Sequence, residues 1–312
     1  MSTPSAERAA SADVGRVQDR LSFLYVERCL INRESNALTI VDAKGTVHVP
    51  ATQLAALLLG PGANITHQAV VLLAESGTVT VWVGEQGVRY YAHGRPLARS
   101  TRLLDAQVAA LATTRSRLDV ARRMYAMRFP DEVTDGMTMQ QLRGFEGVRV
   151  RKAYQAAARQ FGVEWRRRDY SPNDFFASDL ANQALTAATA CLYGVVQAAV
   201  VGLGLAPGLG FIHVGKDQSL VFDIADLYKV EMAVPVAFQT AAEAPDDLPT
   251  VVRRRMRDKF FETKILTRIV HDIHHVLGIT DNPSADWDVL ELWDERGQNV
   301  PGGTSWAGEV DW

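Results

Sequence analysis

Between positions 213 and 226 the sequence carries one imidazole, His213, and two carboxylates, Asp223 and Asp226, framed by Lys216 and Lys229. A histidine with hard oxygen ligands suits a divalent cation that engages phosphate oxygens. Lysine ammoniums pair with the same phosphates. The acids stand three apart in Phe222-Asp-Ile-Ala-Asp226-Leu-Tyr-Lys229, a spacing that puts both on one face of a helix. Each group also has a plainer role. His213 follows the apolar, glycine-rich Gly208-Leu-Gly-Phe-Ile and reads equally as a hydrogen-bonded structural residue. Asp223 has the position of a helix N-cap, and Asp226 would then sit in the first turn, where the helix dipole favours an anion.

A further acid, Glu146, lies in Leu142-Arg-Gly-Phe-Glu146-Gly-Val-Arg149. Glycines on both sides are costly inside a helix and make sense where the backbone approaches another helix or a metal site closely. The alternative is a surface glutamate in a salt-bridge network with neighbouring arginines. His271, His274 and His275 have spacings that one helix face could offer to zinc, but HExxH is absent and a solvated face is the favoured reading. Neither GxxxxGK[ST] nor a GxGxxG after a strand occurs, so nucleotide-driven and hydride chemistries have no support.

These groups need elements to hold them. Leu38–Asp42, Val79–Val83 and Val88–Tyr91 are short runs rich in β-branched and aromatic residues, with Glu85-Gln-Gly87 as a hairpin turn and a short helix near Thr66–Ser76. From Ala98 the period changes: Leu103, Leu104, Val108, Leu111, Leu118, Ala121 and Met124 suit one long amphipathic helix ending at Pro130. Further helices are predicted over Met137–Phe161, Asp174–Leu205, Asp226–Thr240 and Pro249–Val276. The chain therefore reads as α+β: a flexible N-terminus (1–20), a β-rich N-terminal domain (21–96), a larger α-helical domain (97–280) and an acidic tail (281–312).

The 312 residues, 47% hydrophobic and 22% charged, allow two soluble domains with a large core. Cys29 and Cys191 suggest neither a disulfide framework nor a zinc site, and the polar N-terminus lacks an apolar signal core; both favour a cytoplasmic location. The longest apolar run, from Ala187 to Pro207, reads as a buried core helix rather than a membrane span. The net charge of −3 conceals an asymmetry, since residues 280–312 carry −7 and the remainder +4. Basic residues cluster at 143–168 and 253–259, patches suited to a polyanion. The tail holds Trp287, Trp293, Trp306 and Trp312 and no helical period, so it is expected to be irregular when free and to dock either on the helical domain or on another subunit.

Taken together, Val81–Arg89, Gln141-Leu-Arg-Gly-Phe-Glu-Gly-Val-Arg149-Val-Arg151, Cys191-Leu-Tyr-Gly194, Gly210–Lys216 and Phe222–Asp226 resemble the CRISPR-associated adaptation endonucleases/integrases, and among them the subtype I-E branch. The likeness spans about residues 19–277 and leaves out the N-terminus and the tail. It implies an N-terminal β-sandwich followed by a larger α-helical catalytic domain. It implies Glu146, His213 and Asp226 as ligands of Mg²⁺ or Mn²⁺, with Asp223 an acidic neighbour. Arg89, Lys216, Lys229, Arg253 and Arg254 are similar to positions that hold DNA phosphates. The implied partners are double-stranded DNA, both incoming fragment and CRISPR repeat, a second copy of the chain in a homodimer, and a small ferredoxin-like second adaptation protein completing a hetero-hexamer. The implied reaction is insertion of short fragments as spacers, a 3′-hydroxyl attacking a repeat phosphodiester without ATP or a covalent enzyme intermediate. The chain departs from the pattern at Arg28, where an aromatic that stacks on the duplex end is expected and Tyr25 lies close by, and at Asn64 and Val71, where arginines are expected. A stand-alone metal-dependent nuclease and a non-catalytic DNA-binding scaffold are the other readings.

Overall fold

The computed structural model describes residues 24–54, 56–84, 90–94, 101–130, 134, 136–169, 178–279, 291–292 and 300–301. The chain divides into a unit running to Gly278 and a second from Ile279 to Trp312. The first is α+β. Strands β1 (Leu24–Val26), β5 (Ala56–Leu59), β7 (Val79–Val83) and β8 (Tyr90–His93) form one sheet in that order. β4 (Gly45–Pro50), β3 (Ala37–Asp42), β2 (Leu30–Glu34) and β6 (Asn64–Ile65) form the other. Helix α1 (His67–Glu75) starts at Thr66, whose hydroxyl accepts from the Ala69 N–H, and spans almost the whole stretch predicted for it.

Side chains alternate across a strand, and β5 shows what that does here. Leu57 and Leu59 join Ile31, Leu38, Ile40, Leu72 and Leu73 in a core between the two sheets and α1. Ala56 and Leu58 point the other way, into a larger core with Val79, Val81 and the helices. Burial on both faces explains why β5 is wholly apolar. β7 and β8 pair antiparallel, Trp82 opposite Ala92, as a hairpin requires. The predicted turn at 85–87 and Arg89 lie outside the described residues.

The helical part departs from the predicted spans in instructive ways. The long helix breaks into α2 (Arg102–Leu111) and α3 (Thr114–Arg128). Thr113 adopts an extended backbone and its hydroxyl accepts from the Ser116 N–H at 3.1 Å, a local bond that competes with helix continuation. α4 (Met139–Phe161) opens with a capping box between Thr138 and Gln141 and ends at left-handed Gly162. α5 (Leu180–Gly202) starts at an Asp179 cap. By length and composition it could cross a membrane, yet 78% of its apolar window is buried inside the protein.

α6 (Ser219–Ala225) ends just before the predicted Asp226–Thr240 helix, over which the chain forms a π-helical turn (Lys229–Ala233) and α7 (Val234–Glu243). Pro235 has no N–H to continue a regular ladder, so α7 starts afresh with proline in its first turn. Likewise α8 (Leu248–Glu262) and α9 (Ile265–Leu277) replace one long helix, parted by Lys264 at φ 48°. In the second unit β9 (Glu291–Leu292) pairs antiparallel with β10 (Val300–Pro301). The four tail tryptophans lie outside the described residues.

α5 is the axis of the larger core, buried along most of its length. At Gly194 a β-carbon would stand 3.0 Å from Leu58 Cδ2, so the glycine of the Cys191–Gly194 motif lets α5 settle onto β5.

Candidate active site

The segment between α5 and α6 carries His213, and two sets of polar groups grip it. Carbonyls are taken from one side: Gln107 Nε2 donates to Ala206 O and Leu209 O, and Arg117 donates to Phe211 O and Gly210 O. N–H groups are taken from the other. Asp223 Oδ2 accepts from Phe211 N–H at 2.5 Å and Ile212 N–H at 3.0 Å, and Oδ1 accepts from His213 N–H at 2.9 Å. Buried backbone polar groups demand partners, and one fully buried carboxylate supplies three of them. The same Oδ1 lies 2.7 Å from His213 Nδ1. That contact fixes the ring and leaves Nε2 as the nitrogen free for other work.

Asp223 is therefore neither an N-cap nor on the same footing as Asp226. It lies within α6, whose own N-cap is Gln218, and reaches ten residues back. Asp226 is the C-cap of α6 rather than a first-turn residue, and Lys229 Nζ lies 3.4 Å from its Oδ1. Burial would lower the Lys229 pKa, but Asp226 with Tyr193 and Tyr154 outweighs it and holds the ammonium charged. Gly210 is needed for the turn's compactness: a β-carbon there would stand 2.5 Å from the His213 carbonyl oxygen and 2.8 Å from Ser219. Gly210→Ala is expected to destabilise the protein by about 1–3 kcal/mol through overpacking; a urea melt superimposable on wild type would show that the turn has slack.

His213, Asp226 and Lys229 line one cavity of about 610 Å³, with Tyr193, Phe222 and Gln197 from the helices and Leu58, Val81 and Tyr91 from the sheet. Phe222 meets the His213 ring edge-on at 5.9 Å. The His213 pKa is raised, first by its hydrogen bond to Asp223, against a lowering by burial; the charges of Asp223, Asp226 and Glu146 add to the rise.

Glu146 is held apart from this group. Tyr125 O–H donates to its Oε2 at 2.7 Å, and Arg128 Nη2 pairs with Oε1 at 2.7 Å. The expected ion pairing is real, but its partner comes from α3 and not from the arginines of α4. Nor are Gly144 and Gly147 pressed by any neighbour: a β-carbon at either meets nothing within 4 Å. Among the described residues no three His, Cys, Asp or Glu side chains are placed to hold one metal ion. The donor types, one imidazole with its Nδ1 already engaged and two carboxylates, suit a hard divalent cation. Each Glu146 oxygen already has a partner, and one of them is the Arg128 guanidinium, with which a cation would have to compete.

Lys216 is exposed on the turn after His213. Arg254 is exposed on α8, whereas Arg253 lies 4.7 Å over the Tyr25 ring and donates to Thr250 Oγ1 at 2.8 Å. Arg28 takes a left-handed backbone (φ 48°) and donates its N–H to Pro61 O. His271 is exposed and near Asp272, in keeping with a solvated face.

A family model described as CRISPR associated protein Cas1 matches residues 23–130 and 126–244. The chain is 47% identical over 296 residues to the CRISPR-associated endonuclease Cas1 of Clostridium sp. SY8519, covering 94% of this chain and 98% of that one. It is 47% identical over 263 residues to the protein of the same name from Geobacter sulfurreducens, covering 84% and 86%. Its fold superposes on a crystal structure of a TtCas1–DNA complex with a TM-score of 0.79 at 42% identity, covering 91% of this chain and 100% of that one. The chain belongs to the CRISPR-associated Cas1 family.

Proposed function

We propose that this chain is a CRISPR adaptation nuclease and integrase that inserts short DNA fragments as spacers, 3′-hydroxyl ends attacking a repeat phosphodiester. The observation that carries the reading is the braced His213 beside Asp226 and Lys229 at one cavity, in a chain whose relatives are named endonucleases. Glu146, His213 and Asp226 would hold Mg²⁺ or Mn²⁺. Such an ion, when bound, supplies Lewis-acid stabilisation of charge on the phosphate oxygens. The chain's own residues do the rest. Asp223 keeps the imidazole oriented with Nε2 outward. Lys229, charged and half-buried beside Asp226, meets a phosphate entering the cavity, and Lys216 and Arg254 extend that path over the surface. Arg89 belongs to the same proposed path. No nucleophilic side chain is required, because one phosphodiester replaces another.

A homodimer of subtype I-E type, joined by the small ferredoxin-like second adaptation protein, completes the proposed assembly. The decisive assay is integration of a short duplex into a repeat-bearing plasmid, with and without that second protein and with and without Mg²⁺ or Mn²⁺. Integration that persists in chelator would sink the metal-dependent mechanism, and cutting without insertion under every condition would favour a stand-alone nuclease.

Arg253→Ala is expected to weaken duplex binding about equally for all sequences and to reduce the slope of log affinity against log salt by about 1. An unchanged slope would leave Arg253 with only its contacts to Tyr25 and Thr250.

A further inference from the structure

The clasp on Glu146 has no part in the chemistry above, yet it decides whether that chemistry has its third ligand. Glu146 presents two oxygens, and each is engaged at 2.7 Å, one by Arg128 and one by Tyr125. The Arg128 side chain is 5% exposed and that of Glu146 22%, so the ion pair is shielded from water. The guanidinium is further held over the Tyr125 ring at 5.6 Å and the Phe129 ring at 5.2 Å. A guanidinium and a divalent cation compete for the same anionic oxygens and repel each other when both are near. We infer that Arg128 and Tyr125 are positioning residues that withhold the Glu146 carboxylate from the cation until the clasp opens. The inference rests on the reading of Glu146 as a metal ligand.

Three observations fit together here. No three ligand side chains are placed around one point among the described residues. Glu146 nevertheless lies near enough for its charge to bear on His213. The Glu146 side chain keeps 22% of its surface exposed, so the clasp does not enclose the carboxylate completely. Affinity for a ligand falls in proportion to the fraction of molecules in the competent arrangement. A clasp that keeps most molecules closed must therefore weaken cation binding in the absence of DNA, and loosening the clasp must strengthen it.

The test is Mn²⁺ titration of the DNA-free full-length protein, free Mn²⁺ being read by electron paramagnetic resonance. Wild type is compared with Tyr125→Phe, which removes only a hydroxyl, and Arg128→Gln, which keeps a hydrogen-bond donor without the charge. Thermal melts confirm that each variant is folded. The expected result is Mn²⁺ binding about threefold or more tighter in both variants, a gain that disappears in Arg128→Gln/Glu146→Gln. Equal or weaker binding in the single variants, while His213→Ala still loses affinity, would overturn the clasp and leave the ligand assignment standing. Unchanged binding in His213→Ala and Asp226→Ala would instead overturn the ligand assignment itself.

Discussion

His213→Ala and Asp226→Ala are each expected to lose strand transfer by roughly a hundredfold to a thousandfold, the scale on which loss of one charge-stabilising group at a reacting centre is felt. Both residues line the cavity, and neither supports the fold as Asp223 does. In His213→Ala the turn keeps its three backbone bonds to Asp223, so the thermal transition should stay within a few degrees of wild type. Duplex affinity should change little, because neither substitution removes a cation proposed to meet phosphate. A strand-transfer assay with purified variants and Mg²⁺ or Mn²⁺ reads the outcome directly. Wild-type rates in both variants would remove these residues from the reaction.

Asp223→Ala is expected to fail differently, losing stability and activity together. Three N–H groups and one imidazole nitrogen converge on its carboxylate. Each buried donor left unsatisfied costs about 1–3 kcal/mol, so a loss of about 3 kcal/mol or more is anticipated in urea unfolding. Activity should drop about 10- to 100-fold even where the protein remains folded, because the partner that orients the proposed ligand His213 is lost. The pH dependence gives a second readout. His213 binds its proton more tightly in the folded protein, chiefly through Asp223. The stabilisation from that proton is fully present below the unfolded histidine pKa of about 6.5 and disappears as pH rises through the higher folded value. The stability gap between metal-free wild type and His213→Gln should therefore narrow with rising pH. Asp223→Ala should remove most of that slope. A gap independent of pH would mean that the pair does not hold the extra proton.

Sequence reading reached the α+β class and singled out His213, Asp223, Asp226 and Glu146 because each sits in a short, chemically unusual stretch. It missed what depends on distance along the chain. Asp223 looked like a cap because capping is local, whereas its partners are the N–H groups of residues 211–213. Tyr125 and Arg128 were invisible as partners of Glu146, with a helix end and a loop between them; an aromatic and a cation three apart near the end of α3 were the only available hint. Gln107 was passed over inside an apolar stripe, although a lone amide among leucines and valines often marks a buried polar clamp, as it does here. Two of the missed helix breaks share one cause. Periodicity of apolar residues runs straight through Thr113 and Lys264, and only their backbone conformations reveal the interruption.

The strand Ala56–Leu59 serves two hydrophobic interiors at once. A shift of a single residue in its pairing would exchange both sets of contacts together, so it cannot be adjusted to suit one neighbour without injuring the other. Leu58, which forms part of the cavity wall, is thus frozen by demands arising on the opposite side of its own sheet. Divergence in what that hollow admits is left to lining residues off that strand, such as Tyr91, Gln197 and Gln218.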